Sequence, residues 1–335
     1  MRPPCGKCVT CSKRSKFGST TQVKATRITT ETASAFADRA AVPADCGHKP
    51  RLGGLLAFGV LLCVALWGPL YSLVGYAAKN SLHSHILLIP FVTGYLIYLQ
   101  RGSLPKSYRC SPVCGALMLA IGLAVFGFAS RIHPEISPGD FLSLVAVSFV
   151  TLLIAGGFFF LGRVWMWAVC FPIAFLYFIV PLPDAAVSWL ETMLKLASAE
   201  AAGLFFDLSG TPVFRDGVVF QLPNITLEVA RECSGIRSSW VLFVTSVVAS
   251  YLLLKTPLRR AVLLAVVIPL AILRNGFRIV VIGLLCAHLG PQMIHSQIHE
   301  NGGPLFFALS LVPLFLLLWW LRKGEAMTPF KKEPL

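Results

Sequence analysis

Charged residues are scarce in this sequence of 335 residues, where Asp, Glu, Lys and Arg together make up 13%. A soluble domain carries about twice that fraction. Hydrophobic residues make up 56% of the chain, its mean hydropathy is +0.74, and several apolar runs reach the length of about 18 residues that a membrane-crossing helix needs. The composition therefore excludes an ordinary soluble domain and predicts an all-α polytopic membrane protein.

Acidic residues are scarcer still, with 15 Asp and Glu against 29 Lys and Arg, and a formal net charge of +14. A nucleic-acid-binding face would need a polar scaffold, whereas these basic residues lie mainly in short segments beside apolar runs. Before residue 52 there are ten basic and three acidic residues. The positive-inside rule explains this pattern, so the expected partner is the lipid bilayer and not nucleic acid.

Residues 1–50 lack any helical or strand period and are rich in Ser, Thr, Lys and Arg, which predicts a disordered basic cytoplasmic tail. Its three closely spaced cysteines, Cys5, Cys8 and Cys11, have no nearby fourth ligand, so no metal site is expected there. An integral membrane domain is predicted over 51–323, followed by a cytoplasmic tail over 324–335.

The apolar runs predict eight membrane spans. They cover 52–77, 84–100, 113–130, 141–161, 164–180, 238–254, 261–287 and 304–321. The segment 184–208 is different because it includes Asp184, Glu191 and Lys195, which are costly in lipid. We predict that it is an amphipathic helix that lies at the interface or packs inside the bundle.

Loop charges predict the orientation. With the basic amino terminus in the cytoplasm, most basic loop residues fall inside, and the short outer loops after the first and third spans carry only Lys79 and Arg131. Eight spans then leave both termini inside. The segment that contains Cys233 and the loop 288–303 share the outer face.

The least helix-like stretch of the membrane domain begins at 212–221, which reads as a small extracytoplasmic β-hairpin. Asp216-Gly217 suits a two-residue turn with positive φ angles. After Leu222-Pro223, apolar and polar residues alternate over 225–230 and predict a third strand. From Ile236 the pattern becomes that of a long apolar helix.

Cys233 lies at this strand-to-helix junction, between Glu232 and Ser234-Gly235. It is the only cysteine predicted in an outer loop. A helix amino terminus and nearby Arg231 and Arg237 would stabilise its thiolate, so Cys233 is a candidate nucleophile.

Two arginines interrupt the run 261–287. Arg274 and Arg278 are four residues apart and share one helical face, with Asn275 beside them. A buried arginine is costly unless it is paired. Arg274 and Arg278 are either structural, paired with Glu228, Glu232 or backbone carbonyls, or functional cations held for an anionic intermediate.

Histidines precede the last span in the sequence HSQIHE. His295 and His299, with Glu300, could bind a metal from one helix face. They could also be plain interfacial residues, or His299 could be a base that serves Cys233.

Three motifs in order resemble the exosortase/archaeosortase family of membrane transpeptidases. They are VARECSGIRS around Cys233, LRNGFRIVVIG with Arg278, and HENGGPLFF with His299. The start of the second span, SHILLIP, and the segment GTPVFRDGVVFQLP are also similar to that family. The resemblance covers about 52–321, and a histidine in the last motif indicates the bacterial exosortase branch.

The resemblance implies a cysteine peptidase/transpeptidase of the bacterial inner membrane, with an extracytoplasmic active site. Its expected partners are exported proteins with a C-terminal sorting signal, which is a short motif such as Pro-Glu-Pro, a membrane span and a basic cluster. It implies catalysis by Cys233, His299 and Arg278, and we expect no cofactor. Supporting or substrate-binding roles are expected for Glu232, Ser234, Gly235, Arg274 and Asn275.

Two other classes of protein remain open at this point. One is an intramembrane metalloprotease that uses His295, His299 and Glu300. The other is a non-enzymatic transporter or polysaccharide-export component with Arg274 and Arg278 on a solute path. The lack of a clear inverted repeat counts against transport.

Overall fold

The computed structural model describes residues 52–105, 111–222, 225–229, 234–290, 292 and 303–326. The predicted amino-terminal tail and all but the first three residues of the predicted carboxy-terminal tail lie outside these ranges. So do three predicted site residues, namely Glu232, Cys233 and His299.

The described chain is predominantly helical. Its α-helices are α1 Leu52–Ala65, α2 Trp67–Lys79, α3 Ile89–Leu99, α4 Pro112–Ile132, α5 Pro138–Phe160, α6 Gly162–Ala168, α7 Cys170–Leu176, α8 Asp184–Ser209, α9 Ile236–Leu253, α10 Pro257–Leu289 and α11 Gly303–Ala326. Short 3-10 turns at Ser84–Leu87 and Tyr177–Ile179 adjoin α3 and α7.

Five helical segments are long and apolar enough to cross a membrane, and the number rises to seven if two bent helix pairs each count as one span. The five contain α4, α5, α9, α10 and α11. The fold is therefore the expected multi-pass helical one. The described residues support fewer spans than the eight predicted, because α3 has only 11 residues.

Prolines explain why two predicted spans are bent. The α1–α2 pair bends by 79° and the α6–α7 pair by 75°. A proline ring clashes with the carbonyl four residues earlier. Four residues before Pro69 is Ala65, where α1 ends, and four before Pro172 is Ala168, where α6 ends. Proline alone is not sufficient, since Pro269 remains inside the continuous helix α10.

The charged segment forms one continuous helix, α8, which connects two parts of the bundle. At its start, the backbone N–H of Asp184 donates to Asp140 on α5 at 2.9 Å. Its second half packs closely on α10, because a Cβ at Gly276 would lie 2.7 Å from the Cβ of Ala201. The second half of α8 thus packs inside the bundle, which is one of the two predicted alternatives. Helix α8 is not among the segments that are long and apolar enough to cross a membrane.

A three-stranded antiparallel sheet follows α8, in the order β1 Phe214–Asp216, β2 Val219–Leu222 and β3 Ile225–Glu228. Asp216 pairs with Val219, so the turn is Gly217-Val218, one residue later than predicted, with Gly217 at φ 59°. The predicted alternation is present after β2, since Leu227 and Val229 are buried whereas Thr226 and Glu228 are exposed.

The sheet, α8 and the second half of α10 share one apolar core. It includes Phe206 of α8, Phe220 of β2 and Ile279 of α10. An ion pair supports this unit at the surface, where Arg215 of β1 donates to both carboxylate oxygens of Glu200 at 2.6 and 2.9 Å. These bonds lower the pKa of the Glu200 carboxyl. They connect β1 directly to α8.

Candidate functional site

The candidate site is formed where α9 begins. Gly235 immediately precedes the helix and has φ 70°, a left-handed conformation that glycine adopts without steric cost. Ser234 before it is buried, with 1% of its surface exposed. The peptide that follows Cys233 is therefore folded into the protein.

Arg274 of α10 contacts this helix start. Its Nη2 lies 3.4 Å from the carbonyl oxygen of Gly235 and 3.3 Å from Oγ of Ser239. Ser239 in turn donates to the same carbonyl at 2.8 Å. The same carbonyl also accepts the first helical bond of α9, from the backbone N–H of Ser239 at 3.0 Å, and a bond from Oγ of Ser238 at 3.1 Å.

Arg274 is itself buried, with 7% exposure, and its Nη1 has no hydrogen-bond partner among the described residues. A buried cation requires partners, and the partner observed for Nη2 is a backbone carbonyl. This is one of the structural alternatives set out above. Glu228, another partner considered for the arginines, lies 3.9 Å from Lys195 instead.

Asn275 and Arg278 complete the described part of the site. Asn275 is buried at 2% exposure and approaches Gly235 closely, because a Cβ at position 235 would lie only 2.6 Å from Oδ1 of Asn275. Arg278 is half-buried one helical turn beyond Arg274, on the same side of α10.

Helix α10 is longer than a bilayer core is thick, and it packs on different elements before and after Arg274. Its 33 residues span about 50 Å at 1.5 Å per residue, whereas a hydrocarbon core is about 30 Å thick. The first part of α10 packs with α9 and α11, with Leu242, Leu263 and Leu314 in their common core. The part after Arg274 packs instead on α8 and the sheet.

The structure therefore brings together Ser234, Gly235, Arg274 and Asn275 of the predicted site residues. Ser239, which joins Arg274 to Gly235, was not predicted from the sequence. Its only sequence signal is a position four residues after Gly235, which allows a serine hydroxyl to reach that carbonyl in a helix.

We expect Gly235→Ala to impair this site much more than Gly210→Ala. Both glycines have a left-handed φ, 70° and 68°, but a Cβ at 210 meets nothing within 4 Å. Strain of about 1–2 kcal/mol is common to both variants, and only Gly235→Ala adds the clash with Asn275. The measurement is thermal unfolding in detergent together with the rate of Cys233 alkylation. Equal effects of the two substitutions would contradict the close packing at Gly235.

Comparison with known proteins gives one family. Residues 77–316, more than half of the chain, match the family model described as transmembrane exosortase (Exosortase_EpsH). No curated protein and no solved structure matches the chain. The matched region contains all the helices and strands from α3 to α10, including the junction of α9 with Arg274. The chain belongs to the transmembrane exosortase family.

Proposed function

We propose that this exosortase-family membrane protein is a cysteine peptidase/transpeptidase that removes C-terminal sorting signals from exported, membrane-anchored proteins. The proposal assigns Cys233 as nucleophile, His299 as general acid–base and Arg278 as the group that binds the developing oxyanion. Arg274, Asn275, Ser234, Gly235 and Glu232 support or bind substrate.

The observation that carries the proposal is the packing of Gly235 against Arg274 and Asn275. Cys233 is covalently joined to Ser234, and consecutive Cα atoms are about 3.8 Å apart. The nucleophile is therefore tethered within two residues of a carbonyl that Arg274 contacts at 3.4 Å. A thiol that precedes by two residues a helix start contacted by Arg274 would be favoured as its thiolate.

The proposed reaction has two halves. The Cys233 thiolate attacks the scissile carbonyl carbon, a C–S bond forms, and the carbonyl oxygen becomes an oxyanion that Arg278 stabilises. The C–N bond then breaks, and protonated His299 gives its proton to the leaving amine. Water, an amine or a glycolipid attacks the resulting thioester, its proton passes to His299, and the C–S bond breaks to regenerate Cys233.

The length of α10 supports a site at the membrane boundary. If α9 and the first part of α10 fill the hydrocarbon layer, Arg274 lies near its surface, and the unit formed by the sheet, α8 and residues 275–289 stands beyond it. A sorting signal presents its cleavage motif next to its own span. A nucleophile at the boundary would meet that motif without unfolding the span.

Co-expression tests the proposed function. The protein is produced together with a secreted protein from the same genome that carries a C-terminal motif, a span and a basic tail. We expect the substrate to lose its tail, which gel mobility and intact-mass measurement report. A substrate whose motif is scrambled but whose span and basic tail are kept is the control. Equal processing of both substrates, or of neither, would contradict motif-directed cleavage.

The proposed outer location of Cys233 has its own test. In a variant in which the other nine cysteines are replaced, a membrane-impermeant thiol reagent should label Cys233 in intact cells. A variant that retains only Cys114, which lies in the first turn of α4 at the predicted inner boundary, should be labelled only after lysis. The reverse pattern would place the site on the cytoplasmic side.

A further inference from the structure

The first turns of α9 are also contacted from a distant segment that none of the proposed catalytic residues belongs to. The indole Nε1–H of Trp240 on α9 donates to Nε2 of His85 at 3.0 Å. His85 lies in the 3-10 turn Ser84–Leu87, just before α3. The two residues are 155 positions apart in the chain, so this bond connects elements that only the tertiary fold brings together.

The imidazole of His85 has three polar neighbours, namely the indole of Trp240 and the backbone carbonyls of Leu82 and Phe178. Nδ1 lies 3.1 Å from the carbonyl oxygen of Leu82, which can only accept a hydrogen bond, and the indole of Trp240 can only donate. With its proton on Nδ1, the imidazole donates to Leu82 and accepts from Trp240 at Nε2. This is the neutral tautomer, with both ring nitrogens satisfied.

Packing fixes the two rings further. The indole of Trp240 stacks with Phe243 at 5.8 Å and contacts Phe178 at 6.0 Å between ring centroids. Behind His85 lies His83, which is 2% exposed, and burial lowers the pKa of its imidazole to about 4. The His85–Trp240 bond is thus set in a tightly packed aromatic group.

This bond and the Arg274 contact act on neighbouring residues of one helix. Arg274 contacts Ser239 and the Gly235 carbonyl, and His85 contacts Trp240, which immediately follows Ser239. Trp240 is five residues after Gly235, about 7.5 Å along the helix axis. Two contacts from different elements fix both the rotation of the helix end about its axis and its position along that axis. A single contact leaves the rotation free.

Resting on the proposed function above, we propose that His85 is a positioning residue for Cys233. It acts through Trp240 by holding the first turns of α9, and so the residue that precedes them, in register with Arg274 and Arg278. A displacement of about 1 Å at a reacting group can cost about a hundredfold in rate. A partial displacement of α9 should therefore lower turnover while substrate binding remains.

The test uses four variants of the full-length protein. His85→Leu removes the acceptor, Trp240→Phe removes the donor but keeps an aromatic ring, and the third variant combines both changes. His85→Gln retains a group that can accept from Trp240 and donate to Leu82. We expect each of the first two to lower kcat for tail removal about tenfold with KM changed less than about twofold. His85→Gln should recover most of the loss, and the double variant should lose about tenfold and not a hundredfold.

A second readout does not depend on substrate. Peptide mass spectrometry measures the rate at which iodoacetamide alkylates Cys233 at pH 7. This rate should fall at least about threefold in His85→Leu and Trp240→Phe, because Cys233 is no longer held beside the helix start and the arginines that favour its thiolate. The thiol of Cys114, at the predicted inner boundary, is the internal reference, and Trp167→Phe, a change at an exposed tryptophan, is the matched control.

These readouts separate the two hypotheses. If the wild type fails to cleave any substrate, the proposed function is wrong, and the alkylation rates still decide the role of His85. Unchanged Cys233 alkylation in both single variants, additive losses in the double variant, or a His85→Gln variant as impaired as His85→Leu would each overturn the positioning role.

Discussion

Replacing Cys233 with alanine is expected to abolish removal of the sorting signal, with a fall in cleavage rate of about 10³-fold or more. Cys233→Ser is expected to be nearly as inactive. A serine hydroxyl at neutral pH is a far poorer nucleophile than a thiolate. Single-turnover cleavage of the co-expressed substrate, normalised to the amount of folded protein, measures both variants.

The controls for this experiment lie on the same chain. Cys63 and Cys170 are exposed free thiols far in sequence from the junction, and their alanine variants should retain full activity. A covalent adduct between substrate and enzyme should form with the wild type and be absent from Cys233→Ala. Full processing by Cys233→Ala at unchanged protein level would show that Cys233 is not the nucleophile and would contradict the proposed mechanism. Chelator-sensitive cleavage by that variant would instead favour the intramembrane metalloprotease. Solute transport by that variant would favour the non-enzymatic transporter.

Replacing Arg278 with lysine is expected to lower the cleavage rate about 10²- to 10³-fold, although the positive charge is kept. A guanidinium presents a planar fork of donors, and a single ammonium on a flexible stem does not reproduce it. The loss should appear in kcat more than in KM, since the oxyanion exists only in the transition state.

Arg274→Lys should lower the cleavage rate less than Arg278→Lys does, but it should lower the stability of the protein more. Arg274 is the more buried of the two and contacts the Gly235 carbonyl and Ser239, so its replacement weakens the packing of α9 on α10. Thermal unfolding in detergent and cleavage rate should therefore rank the two arginine variants in opposite orders. Arg131→Lys, at an exposed position on α4, is the matched control. The same order in both measurements would mean that the roles of Arg274 and Arg278 have been exchanged.

Much of the fold was predictable because it depends on local patterns. Apolar runs, the alternation over 225–230 and the change of period at Ile236 each report a burial pattern with a fixed repeat. The segment 184–208 was predicted to be an amphipathic helix and not a span because its charges are costly in lipid, and the helix observed there is Asp184–Ser209. The turn at Gly217-Val218 differs by one residue from the prediction, because strand pairing and not the Asp-Gly dipeptide set the register.

Span number was less predictable. Hydropathy adds up along the chain and does not register a bend, so 52–77 and 164–180 each read as one straight span. The breaks at Ala65 and Ala168 depend on proline clashes whose cost the surrounding packing either tolerates, as at Pro269 in α10, or relieves by bending.

By itself, the sequence determined that this is a polytopic helical membrane protein, that it carries the motifs of the transmembrane exosortase family, and that Arg274 and Arg278 share one helix face. Only the tertiary structure decided that the Gly235 carbonyl is the partner of Arg274, that Ser239 joins them, and that His85 reaches Trp240. The reason is physical: a motif is a property of neighbours along the chain, whereas a buried polar atom takes whichever partner the packing of distant helices brings within about 3 Å.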